Sequence, residues 1–351
     1  MSSLTLGFIP LTDCAPLAVA EAKGFFAGEG LEVTLSREAS WATIRDKVTV
    51  GALDAAHMLA PMALAATAGA GGPVAPMIAP LALAVNGAGV TLSNRLSQAL
   101  PMGAQSLQEI AGALAAFIDQ RRAGGEPPLT FAVVFPYSMH NYALRYWLAE
   151  AGVDLDRDVR LVVTPPPRMV EQLRTGQVDG VCVGAPWNAV ATRGGLGRVA
   201  LRTSQFWPAG PDKVLGAGAH FAEDDRLPPL LRALVQAQAW CDVAEHRDEL
   251  ASLLAQPNYV GAAAEAIAPA IGDELIFHRD GAGVPRLEHA RWFLAQMRRW
   301  KQIGAELDAD ALIARVYRPD LALAALQATG LGPEALTPPG PLFDGKSFDA
   351  G

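Results

Sequence analysis

Carboxylates, lysines and arginines are missing from residue 55 to residue 94, and charged residues make up only 18% of the 351-residue chain. So long an uncharged stretch raises the question of a membrane span. Pro61, Pro73, Pro76 and Pro80 interrupt it, however, together with Gly69, Gly71, Gly72, Gly87 and Gly89. No continuous apolar helix of about 20 residues can be drawn through it, so the stretch is predicted to be buried core, with no membrane insertion. Cysteine is scarce as well. Cys14, Cys182 and Cys241 are odd in number and far apart, which excludes a disulfide framework and any metal-ligand spacing. A basic surplus is lacking: the formal net charge is -8, which argues against direct nucleic-acid binding or an anionic membrane surface. The catalytic signatures GxSxG, HExxH, CxxC, GxGxxG and the Walker loop are all absent, so no catalytic residues, metal or cofactor are expected.

What is present is a large apolar fraction, 51%, and a length that suits two lobes. Short apolar runs alternate with helical patterns. LTLGFI is followed by a helix through Leu17 to Phe26, LEVTL by a helix over 42–50, and strands are expected at 54–58 and 78–85. A loop is expected over 86–101. The pattern then restarts with a helix at 105–123, strand 129–135, helix 140–151, strand 160–165, the helix MVEQLRTG, strand 178–184 and GRVALRT. Such βα alternation predicts mainly parallel sheets with helices on their faces and a ligand at the carboxyl ends of the strands. Residues 1–100 and 206–351 are assigned to lobe I and 101–205 to lobe II. Beyond Lys213 the chain reads as largely helical, ending in a Pro- and Gly-rich tail expected to lie extended on the surface.

Three segments stand out. At Ser40-Trp41 a strand ends and a helix starts. Ser40 can cap that helix, whose free N–H groups suit an anion, and the Trp41 indole adds a donor that cannot accept. His140 lies at a second strand-to-helix junction, where a ring N–H can donate to an oxyanion. Lys213, in a segment read as a loop, can supply a cation. The histidine-carboxylate neighbours Glu245-His246 and Glu288-His289 read as solvent-facing.

The strings GFIPLTDCAPL, EAKGFF, ASWATIRD, DAAHMLAPM, RYWLAEAGVD, PPPRMV and VGAPWNA resemble the nitrate- and bicarbonate-binding solute receptors of bacterial ABC transporters, in that family's order across nearly the whole chain. The resemblance implies an α/β, type II periplasmic-binding-protein fold, with the ligand held in a cleft between two lobes. It also implies anion contacts from Trp41, His140 and Lys213, and from the segment Asn86, Gly87 and Ala88. At that segment relatives often carry a side-chain amide, so backbone N–H groups are expected to compensate. Ser40 and Trp187 are secondary candidates. Relatives commonly read GEPWN where this chain has Ala185-Pro186-Trp187, and the loss of a carboxylate favours nitrate or nitrite over bicarbonate, which carries an O–H. Because LTLGFI begins at once, with no charged-then-apolar leader, a cytoplasmic location is expected. In character this resembles the NasS-type nitrate/nitrite sensors that control an RNA-binding antiterminator partner of the NasT type. The alternative is the substrate-binding component of a nitrate or bicarbonate ABC transporter, periplasmic if a leader has been removed. An enzyme of the thiamine-precursor type on the same fold would need a reactive group in the cleft, for which His57 is the candidate.

Overall fold

The computed structural model describes residues 2–101, 106–332, 336 and 339–347. It contains ten strands: β1 Ser2–Phe8, β2 Leu31–Arg37, β3 Ala55–Leu59, β4 Met77–Val85, β5 Ala88–Ser93, β6 Leu129–Val133, β7 Val159–Val163, β8 Gly180–Gly184, β9 Gly197–Arg202 and β10 Pro211–Gly218. They form two five-stranded sheets with matching order, β2-β1-β3-β10-β4 and β7-β6-β8-β5-β9. In each sheet four strands run the same way and one opposes them. The opposing strands are β10, antiparallel to β3 and β4, and β5, antiparallel to β8 and β9. Each of these is the strand that arrives directly from the other lobe, which explains both its direction and the mixed character of the sheets.

Two expectations are corrected here. Residues 86–101 are not a loop, because β5 pairs Ala88 with Gly184 and helix Asn94–Gln98 follows it. The chain therefore crosses to the second sheet near Asn86-Gly87, earlier than the expected boundary at 100. The segment around Lys213 is not a loop either. PDKVLGAG lacks alternation, and its glycines weaken the strand signal, yet all eight residues are buried between β3 and β4. Its Pro211 is tolerated as the first residue of the strand.

The uncharged stretch is core, as predicted. Every residue of β3 and β4 is buried, in keeping with strands covered on both faces. Pro80 sits within β4, which is an edge strand and can lack one ladder donor. Among the described residues no helix is long and apolar enough to cross a membrane. The C-terminal helices Leu227–Cys241 and Pro319–Thr329 complete the core of the first lobe, with Leu230, Leu234, Ala322 and Leu326 buried in it. The described part of the tail is docked on the protein surface by specific contacts. Leu342 is buried, the Phe343 N–H donates to the Phe206 carbonyl at 2.8 Å, and the Tyr146 hydroxyl donates to Asp344 at 2.9 Å.

Candidate functional site

The carboxyl ends of the parallel strands in both sheets lead into segments that carry the candidate residues. After β1 come Thr12 and Asp13, after β2 Trp41, and beyond β6 His140; β10, running the other way, begins there with Asp212 and Lys213. Two helix N-termini contribute. Ser40 caps helix Trp41–Thr49 by accepting from the Thr43 N–H at 3.2 Å, and Ser138 caps helix Met139–Glu150 by accepting from the Asn141 N–H at 3.0 Å. Both hydroxyls satisfy donors of the first turn and fix Trp41 and His140 in that turn.

Lys213 is fully buried, and its Nζ lies 2.9 Å from Asp13 Oδ2 and 2.7 Å from Asp212 Oδ2. Consecutive strand residues normally point to opposite faces. Asp212 is left without a cross-strand partner by an irregularity in the β10–β4 register between Pro211 and Lys213, the kind of bulge that re-aims side chains. Lys213 Nζ also stands 5.6 Å from the centroid of the Trp41 ring. On the other side of Asp13, His57 Nε2 approaches Oδ1 to 2.9 Å, while His57 Nδ1 accepts from the Ile9 N–H at 3.4 Å. That pairing places the His57 proton on Nε2, facing Asp13. The Trp41 and His57 rings lie 5.4 Å apart, and His140 Nδ1 is 3.8 Å from Asp212 Oδ1. Trp41, His140 and Lys213 thus belong to one buried cluster.

Burial and neighbouring charge set the protonation states in opposite directions. Burial pushes the Asp13 carboxyl up, but Lys213 and His57 outweigh it and hold it well below the usual carboxylate range. Burial also pushes Asp212 up, and there the pull of Lys213 does not restore an ordinary value, with Asp13 adding to the rise. Lys213 is raised despite its burial because two carboxylates face it. His57 and His140 are both lowered, chiefly by burial, and Lys213 adds to the lowering at each. The cluster therefore combines one ammonium, one firmly ionised carboxylate, one carboxyl that holds its proton more strongly than usual, and two neutral imidazoles.

Several buried polar atoms have no hydrogen-bond partner among the described residues: Thr12 Oγ1, Trp41 Nε1 and both ring nitrogens of His140. A buried donor without a partner costs about 1–3 kcal/mol, so Trp41 and His140 in one cluster, with Thr12 next to Asp13 in sequence, mark a place suited to an accepting ligand.

The remaining candidates are placed differently. The Asn86 N–H donates to the Gly210 carbonyl and its Oδ1 accepts from the Gly210 N–H. The Ala88 N–H donates to Thr203 Oγ1. Two of the three backbone donors expected from Asn86, Gly87 and Ala88 are thereby engaged within the protein. The Trp187 indole donates to the Pro10 carbonyl at 3.1 Å, and the Thr12 N–H to the Ala185 carbonyl at 2.8 Å, so these groups clasp the two lobes together. His289 is a further correction, since it is buried with its ring 5.0 Å from that of Trp207 rather than facing solvent.

The sequence pattern does not single out Thr12, Asp13 or Asp212, and it offers His57 only as an enzyme candidate. A signal existed for two of them. Asp13 is the sole charged residue among the first twenty, and His57 lies near the start of the uncharged stretch, so both sit in apolar surroundings where an isolated polar group needs a partner. Ala185 supplies no carboxylate, but Asp13 and Asp212 reach the cluster from other elements. Among the described residues no group of three or more His, Cys, Asp and Glu is placed to hold a metal ion.

The model of the NMT1-like family matches residues 1–255. The nitrate/nitrite binding protein NrtA of Synechococcus elongatus is 36% identical, over 99% of this chain and 84% of that protein. The bicarbonate transport ATP-binding protein CmpC of the same organism is 37% identical, over 99% of this chain and 53% of that protein. The chain spans about half the length of the ATP-binding relatives it matches. Among solved structures, the periplasmic nitrate-binding protein NrtA from Synechocystis PCC 6803 superposes with a TM-score of 0.89 at 31% identity, covering 98% of this chain and 94% of that one. The expected two-lobed α/β periplasmic-binding-protein architecture is therefore met.

Proposed function

The chain belongs to the NMT1-like family, and from that premise we propose that it is the substrate-binding component of an ABC transporter for nitrate or nitrite, not an enzyme. One observation carries the reading. Trp41 Nε1 and the His140 ring stand buried and without a hydrogen-bond partner among the described residues in a cluster built on a fully buried ammonium, an arrangement that favours a small ligand made of acceptor oxygens. Nitrate and nitrite are such ligands. The relatives named for nitrate binding and transport support this role over that of a sensor holding an antiterminator partner. In this role the chain's macromolecular partners are the membrane components of the transporter, and it works outside the cytoplasmic membrane.

Titration calorimetry with nitrate, nitrite and bicarbonate tests the reading. Micromolar-range affinity for nitrate or nitrite, about -8 kcal/mol, is expected. Bicarbonate as the tighter ligand, or no heat with any of the three, overturns it.

A further inference from the structure

Resting on the anion-binding reading above, we propose that Asp212 is the specificity-determining residue of this site. With its proton it lends a donor to an oxyanion that has only acceptors, and without it accepts the hydroxyl of an oxyanion that carries one. Binding of nitrate then takes one proton from solvent, and binding of bicarbonate does not.

The argument starts from the charge inside the cluster. Lys213 Nζ is already flanked by Asp13 at 2.9 Å and Asp212 at 2.7 Å, so with both carboxylates ionised the buried cluster carries a net negative charge before any ligand enters. A nitrate or nitrite oxygen set beside ionised Asp212 puts acceptor against acceptor in a site shut off from water, whereas the hydroxyl of bicarbonate can donate to that carboxylate. A buried carboxyl facing only acceptors resolves the conflict by taking a proton. One proton must therefore accompany an anion that brings no donor of its own.

Among the described residues of the cluster, one group is placed to take it. Asp13 has Lys213 at one oxygen and the His57 Nε2 proton at the other, both of which hold it ionised. His57 is closed to a second proton because its Nδ1 accepts from the Ile9 N–H. A proton on His140 would set a second buried cation beside Lys213. The Cys182 thiol, pushed up by burial and by Asp212, keeps the proton it has. A cavity of about 50 Å³ is lined by Asp212 and Lys213 together with Arg279, Arg286 and His289, with Asp280 and Tyr317 completing its titratable wall. Burial holds His289 neutral, down to about 3. Asp212 has Lys213 at one oxygen, while Oδ1 faces His140 at 3.8 Å with no hydrogen-bond partner among the described residues. A proton on Oδ1 gives a donor in the middle of the acceptor-seeking groups.

The experiment is calorimetry on the full chain at a single near-neutral pH in buffers of different ionisation heat, with nitrate and bicarbonate as probes. About one proton taken up per nitrate, and none per bicarbonate, is expected. The nitrate Kd should weaken by up to about tenfold per pH unit between the Asp212 pKa of the free protein and the higher one of the complex, and be flat below that window. Asp212→Asn supplies an amide donor at every pH. It should abolish the proton uptake, flatten the pH profile and raise the nitrate-to-bicarbonate selectivity about tenfold or more. A wild-type nitrate heat with no buffer dependence overturns the proposal even if Asp212→Asn fails to fold. So does uptake that survives in Asp212→Asn, or uptake lost instead in His140→Gln. Absence of any anion binding removes the function reading, and this inference with it.

Discussion

Lys213 Nζ lies 2.9 Å from Asp13 Oδ2, joining the first strand-to-helix turn of the chain to the strand that returns from the second lobe. Neither residue is exposed, so this ion pair and its partner Asp212 are structural as well as functional. Lys213→Met leaves two buried carboxylates without a counter-ion. The expected loss is about 3–5 kcal/mol of folding stability in urea unfolding, together with about 2 kcal/mol or more of nitrate affinity. Unchanged stability would show that the carboxylates are solvated rather than buried with the lysine.

Trp41 separates the two roles differently. Its Nε1 has no partner among the described residues, so Trp41→Phe deletes an unsatisfied donor and should leave folding stability equal or slightly higher. The same change should weaken nitrate binding by about 1–3 kcal/mol, the range for a hydrogen bond to a charged group. Trp41→Ala should cost more affinity and also lower stability, because the cavity would open beside His57 and Lys213. Calorimetry paired with thermal melting reads both quantities. Native affinity in folded Trp41→Phe would remove the indole from the site.

Thr12 is a site candidate that only the fold exposed. Thr12→Val keeps the shape and removes the hydroxyl, whose oxygen is buried and unpartnered. Nitrate affinity should fall by about 1 kcal/mol or more with little change in stability, since no intramolecular hydrogen bond of that oxygen is lost. Stability that drops while affinity holds would assign Thr12 to packing.

Acid should destabilise the unliganded protein. His57, His140 and His289 are all lowered by burial, so below about pH 6.5 the unfolded chain binds protons that the folded chain refuses, and stability falls as pH falls. Each histidine contributes a slope of up to about 1.4 kcal/mol per pH unit. Asp212 acts in the opposite sense, because its raised value lets the folded state take its proton first, and it offsets one histidine where the windows overlap. Asp13 adds a further loss once pH drops through the ordinary carboxylate range, since the folded state holds that group ionised.

His289→Phe tests this sum, because the His289 ring packs on Trp207 and makes no ion pair with Asp13, Asp212 or Lys213 among the described residues. The variant should remove one histidine's slope between about pH 6 and 3 in urea unfolding followed across pH. Nitrate affinity at neutral pH should be unchanged. An unaltered slope would mean that His289 is protonated in the folded protein.

Most of the architecture was legible in the residue pattern. LTLGFI and LEVTL became β1 and β2 in parallel register from Ser2 opposite Leu31 to Phe8 opposite Arg37, and the segments around Ser40 and Ser138 became capped helix starts. These are local properties. Apolar periodicity and capping chemistry depend on residues within a few positions of one another, so a linear reading reaches them. The family strings bring in Trp41, which lies in ASWATIRD, while His140 and Lys213 are carried over by their positions before RYWLAEAGVD and after the second lobe.

Tertiary structure alone decided the rest. PDKVLGAG is a strand because β3 and β4 flank it, not because its own composition favours one, and Ala88–Ser93 joins the second sheet by pairing with β8 and β9. The cluster draws Asp13, Trp41, His57, His140, Asp212 and Lys213 from five separate segments, and no spacing in the chain announces that they meet. Their protonation depends on burial and on distances of a few ångströms between groups remote in sequence, and those quantities exist only once the chain has folded.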